Sequence, residues 1–263
     1  MNVKAYLAFL FSMIFFACEN NTKDVDNADN AWKLNSYGLE LAQQGKYRES
    51  IGPYFLASTS KAISDSMRTV YLGNLAVAYH ELELEDSAKY YFTRAASLNP
   101  KNSYYYLENS AYIFLVDNEL DSTVRLLESA YKIDSTKPTV NNLLGVLYLG
   151  DYAQYLFDPE KALQYNINAH RIFDNIDTKF VLAKNYYHLN RTKEALDLFR
   201  EICRELPDRV DYLVTLIMVE QEMNNKLEVS LLLQKLKVKD VEKHDQLVNN
   251  PVLPGTHVIN WSH

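Results

Sequence analysis

The chain has 263 residues, 48% of them hydrophobic, enough to bury a real core in one extended domain or two small ones. Lys and Arg number 27 against 34 for Asp and Glu; the net charge of −7, with no cation cluster to neutralise a run of phosphates, argues against nucleic acid as a partner. Only 7 glycines interrupt a sequence rich in Leu, Ala, Tyr, Glu and Lys, which predicts an all-α chain, and the two cysteines, Cys18 and Cys203, sit in unlike settings that argue against a disulfide.

The N-terminal stretch "MNVKAYLAFLFSMIFFAC" places Lys4 before twelve mostly apolar residues, Ala5 to Phe16, and sets Ala17 ahead of Cys18. The run falls well short of the ~20 residues of a spanning helix and has the layout of a secretory signal. With a cysteine at the cleavage point it resembles a bacterial lipoprotein signal, although Phe15 and Phe16 stand where that family prefers a leucine and a small residue. The resemblance implies cleavage after residue 17, lipid attachment at Cys18 and a lipid-anchored location in the bacterial cell envelope, in the outer membrane and facing either the periplasm or the outside. The segment "ENNTKDVDNADN", residues 19 to 30, has Val25 as its only large apolar residue and four acids against Lys23. Such composition cannot offset chain entropy, so residues 18–30 read as an acidic tether.

From residue 31 a pattern recurs. Counterpart positions are spaced 38 residues from Ala57 to Ala95, 35 to Ala130, 39 to Ala169, 33 to Ile202 and 34 to Leu236. Such periods belong to solenoids of helix pairs. Leu72, Leu75, Ala76 and Tyr79 form a stripe on a first helix, followed by Ala88, Phe92, Ala95 and Pro100 on a second. Leu34, Tyr37, Gly38 and Leu41 with Ser50, Tyr54 and Ala57 repeat the layout, as do Leu182, Ala183 and Tyr186 with Ala195, Phe199, Ile202 and Pro207. A looser copy has Leu107, Ala111, Phe114, Thr123, Leu127 and Ala130; another has Leu144, Gly145 and Tyr148, then the insertion "DYAQYLFDP" before Ala162, Asn166 and Ala169. Asp158 and Pro159 are an N-cap and first helical residue that restart the helix there.

These residues resemble the tetratricopeptide repeat. The resemblance implies an all-α right-handed superhelix over residues 31–241, of about five repeats with a C-terminal capping pair through Leu213, Leu216, Ile217, Val229, Leu233 and Leu236. Small residues let paired helices approach closely, aromatic ones fill the gaps between pairs, and proline stops the second helix. Residues 242–263 lose the period and contain Pro251, Pro254 and Gly255, so they read as a tail in which Trp261 packs on the terminal helices.

The sequence offers no catalytic constellation. "HELEL" at 80 to 84 lacks the second histidine of a zinc-protease motif, no GxSxG elbow occurs, and "GKY" at 45 to 47 lacks the remainder of a phosphate loop. No cofactor or metal site is expected, and an active site shaped by "DYAQYLFDP" has no motif behind it. The repeat resemblance instead implies a groove lined by Trp32, Asn35, Leu39, Val77, His80, Tyr105, Glu108, Tyr112, Asn142, Val146, Phe180, Lys184 and Tyr187. Lys184 is the only cation among them, too few for a clamp on a terminal carboxylate, whereas aromatic and amide side chains suit a protein or peptide. The expected function is a non-enzymatic, lipid-anchored interaction scaffold. The signal, tether and repeats also resemble accessory lipoproteins of outer-membrane protein assembly, and less closely nutrient-capturing surface lipoproteins.

Overall fold

The computed structural model describes residues 27–254; Cys18, the signal reading over 1–17, most of the tether reading and Trp261 lie outside the described residues. The chain divides after Asp134 into two compact units. In the first, α1 (Ala28–Gln43), α2 (Tyr47–Thr59), α3 (Asp65–His80), α4 (Glu85–Ser97), α5 (Tyr104–Val116) and α6 (Leu120–Ile133) pack as three consecutive antiparallel pairs. In the second, α7 (Pro138–Tyr148) pairs with α8 (Pro159–Ile172), α9 (Ile176–His188) with α10 (Thr192–Glu205), and α11 (Val210–Glu222) with α12 (Lys226–Lys239). A short α13 (Val241–Asn249) follows.

Helix starts follow local chemistry. Ser64 and Ser103 each accept the amide of the residue three ahead, at 3.2 and 3.3 Å. Asn175 and Thr178 form a reciprocal capping box. Asp158 caps α8, accepting Lys161 N at 3.0 Å, with Pro159 as the first helical residue, as the sequence predicts. Five of the six pairs turn on a single residue with left-handed backbone: Gly45, Glu83, Asn118, Asn190 and Asn224, at φ between 57° and 73°. Only glycine takes this conformation without penalty, so Glu83 sits there under strain.

Packing within the first, second and fourth pairs sets a small residue against a larger one. Ala76 faces the Phe92 cluster, and Ala88, Ala95 and Phe92 are all buried. Burying one such phenylalanine contributes ~1.5–3 kcal/mol. In the first pair Gly38 abuts Tyr54, where a Cβ would stand 2.7 Å from the ring. Burial pushes the Tyr54 hydroxyl up to about 12, with Tyr47 adding to it. The fourth pair replaces the aromatic with an amide. A Cβ on Gly145 would lie 1.7 Å from Asn166 Oδ1, and Asn166 Nδ2 donates to Asn185 Oδ1 at 2.8 Å. Asn185 in turn donates to the Pro159 carbonyl at 2.8 Å, tying α8 and α9 through a buried amide chain against which Gly145 of α7 packs.

Two boundaries and one core residue differ from the sequence reading. Helix α1 takes up residues 28–30 of the expected tether, with Ala31 fully buried against Ala57, Ile63 and Tyr71. Tyr37, expected in the core, is 54% exposed; α1 packs extensively on α2 and only slightly on α3. Beyond Lys239, where α12 ends, the tail's first residues form α13, capped by Asp240 accepting Lys243 N at 2.9 Å. Leu247 of α13 joins the core of the second unit, and Gln221 donates to its carbonyl.

Candidate partner-binding face

In the first unit the first helices of the pairs, α1, α3 and α5, lie side by side. Trp32 and Leu39 on α1 are exposed, at 56% and 41%. Asn35 is half-buried and accepts the amide of Asn74 on α3 at 3.0 Å, a polar link between neighbouring repeats. Val77 and Tyr112 are half-buried against the Phe92 cluster, and the Tyr112 ring stacks on Phe92 at 4.8 Å. His80 Nδ1 lies 3.0 Å from Glu85 Oε2 at the turn into α4.

Tyr105 is half-buried with its ring edge-on to buried Tyr104, 5.3 Å between centroids. Tyr104 donates its hydroxyl to Glu108 at 2.8 Å. Burial above all, then the Glu108 charge and hydrogen bond, push the Tyr104 hydroxyl far up, so it remains a donor at any physiological pH. The eight sequence-predicted residues of this unit therefore present two exposed apolar groups and six half-buried ones that a partner could reach in part.

The second unit treats its predicted residues differently. Asn142 and Val146 on α7 are half-buried. Phe180 packs on Phe199 at 5.7 Å and Tyr212 at 5.5 Å, bridging α9, α10 and α11. Lys184 is buried and paired with Asp151 of the insertion. Tyr187 is 1% exposed and donates its hydroxyl to Glu222 on α11. Lys184 and Tyr187 are thus internal ties rather than groove residues. The insertion that "DYAQYLFDP" announces supplies Asp151, and Glu222 comes from one repeat further on; neither is adjacent in sequence to its partner.

Sequence reasoning also missed Asn74, whose signal was its place one turn before Val77 on the stripe's flank, and the ion pairs inside the second unit. Lys179, 4% exposed, donates to Glu201 at 2.8 Å and Glu205 at 2.5 Å. Burial works against its charge, but those hydrogen bonds and the nearby carboxylates win and hold the ammonium above its usual range. Glu220 is fully buried and takes both Arg200, at 2.6 and 3.0 Å, and Asn225, at 2.5 Å. Among the described residues no three His, Cys, Asp or Glu converge on a metal position, and no helix is long and apolar enough to cross a membrane.

No family model matches the sequence, and no curated protein matches it. Solved structures do resemble the fold. A thermophilic tetratricopeptide protein of Thermus thermophilus aligns at a TM-score of 0.54 with 16% identity, over 72% of this chain and 98% of that one. PilF of Pseudomonas aeruginosa aligns at 0.55 with 14% identity, over 84% of this chain and 97% of that one. YrrB, described as a tetratricopeptide protein with an unusual peptide-binding site, aligns at 0.54 with 15% identity, over 69% and 92%. Helix order, pairwise packing and these likenesses together give this chain the tetratricopeptide-repeat fold.

Proposed function

We propose that the protein is a non-enzymatic scaffold that binds a polypeptide partner on the α1, α3 and α5 face and is held at the bacterial cell envelope by a lipid on Cys18. The observation that carries the binding reading is the row formed by Trp32, Leu39, the Asn35–Asn74 pair and Tyr105. Exposed aromatic and aliphatic groups beside orientable amides suit an extended chain, whose apolar side chains need anchors and whose backbone needs donors and acceptors. The peptide-binding site named for YrrB, on the same fold, supports a polypeptide ligand. The anchor rests on the apolar run, Ala17 and Cys18 alone.

Trp32→Ala combined with Tyr105→Ala tests the face. Crosslinking in whole cells should lose its captured product at least tenfold while far-ultraviolet circular dichroism is unchanged, and full retention would remove this face. Cys18→Ser tests the anchor. Labelled palmitate should be incorporated by the parent and not the variant, and parent protein without label would end the lipoprotein reading.

A further inference from the structure

Away from the α1, α3 and α5 face, the second unit carries a half-open cleft of about 370 Å³ between α10 and α12, with α11 beneath it. That volume lies near the lower end of the ~300–1,000 Å³ typical of small-molecule sites. Its apolar lining is wholly aliphatic apart from a thiol: Leu206, Pro207, Leu213, Leu216 and Leu232, with Cys203 among them. Five cations line it against one carboxylate, Glu228, in a chain whose overall charge is −7.

Three of those cations are already engaged, Arg200 by Glu220, Arg209 by Asp211 and Lys239 by Asp208. The other two, Arg204 on α10 and Lys235 on α12, are exposed, stand on opposite walls and form no ion pair among the described residues. The lining contains no Ser, Thr, Asn or Gln and no aromatic ring. A bound peptide would bring a series of backbone N–H donors for which these walls offer one acceptor side chain, Glu228, and desolvating unpaired donors is costly. An alkyl chain brings none.

We propose that this cleft binds a medium-chain fatty-acid carboxylate. The chain lies along the leucine floor, where its burial supplies most of the affinity. The carboxylate sits between Arg204 and Lys235 and receives charge-assisted hydrogen bonds from both walls. From Glu228 to Lys239 α12 rises eleven steps of ~1.5 Å, or ~16 Å of helix, long enough to flank such a chain from end to end.

The full-length protein carries its own reporter, because Cys203 lines the cleft. Decanoate and its neutral counterpart 1-decanol are titrated by calorimetry below their aggregation limits. The alkylation rate of Cys203 by N-ethylmaleimide is followed on its peptide by mass spectrometry. Decanoate should bind saturably and slow alkylation of Cys203 at least fivefold, and decanol should bind at least tenfold more weakly. Arg204→Glu with Lys235→Glu should weaken decanoate at least tenfold at unchanged helix content; Arg204→Ala with Lys235→Ala serves if charge reversal unfolds the chain. No protection of Cys203, equal affinity for decanol, or unchanged affinity in the neutralised variant would each overturn the assignment. So would better protection by an acidic leucine-bearing peptide.

Discussion

Gly145→Ala is the most discriminating perturbation this fold offers. The three atoms nearest to a Cβ at this position all belong to Asn166, and the closest, Oδ1, would be 1.7 Å away. Asn166 is 1% exposed and cannot swing into solvent, so the added methyl must push it off its hydrogen bond to Asn185. Overpacking costs ~1–3 kcal/mol. Leaving the buried Asn185 oxygen without that donor costs ~1–3 kcal/mol more. Alanine in place of a helical glycine returns ~0.5–1 kcal/mol. The net is a loss of about 1–5 kcal/mol, measured by urea denaturation followed by circular dichroism. In an Asn166→Ala background the clash and the hydrogen bond are both gone, so the same Gly145→Ala change should stabilise by ~0.5–1 kcal/mol. Equal costs in the two backgrounds would refute the close-approach argument.

Glu83→Gly relieves a left-handed backbone at φ 58° and should raise stability by ~1 kcal/mol, read as a higher urea midpoint. Tyr187→Phe removes a hydroxyl donated to buried Glu222 and should lower stability by ~1–3 kcal/mol in the same assay. The Glu201 carboxyl is held below the ordinary 4.5 by its hydrogen bond from Lys179, against an opposing effect of burial. A depressed carboxylate contributes stability that is present above its unfolded value and lost as pH falls through the folded one. Unfolding midpoints should therefore decline as pH drops below about 4.5, and Lys179→Met should flatten part of that slope; an identical slope in the variant would rule out this pair as a source.

The repeat period and the stripe residues were legible because core packing leaves a periodic trace. Ala76, Ala88, Phe92, Ala195 and Phe199 are where the spacing put them, all buried. Trp32, Asn35, Leu39 and Tyr105, which the repeat resemblance assigns to the groove side of their helices, are exposed or half-buried. What escaped was contact between residues far apart in sequence whose pairing has no period. Lys184 looked like a groove cation until Asp151, 33 positions earlier, came beside it. Tyr187 looked like a groove aromatic until Glu222, 35 positions later, took its hydroxyl. Helix α13 escaped for a different reason: nine residues make too short a stretch to display a helical repeat, and Leu247 alone carries its buried side.

The left-handed residue in five of the hairpins has a wider consequence. Reversal of the chain is encoded in one backbone angle, and glycine, glutamate and asparagine all supply it here. Geometry at that point is inherited as a torsion rather than as a letter, so each copy is at liberty to drift in composition while its two rods still meet. A chain built this way can wander far from its kin in spelling and keep the same architecture, and its individuality then collects on the surfaces that the turns leave alone.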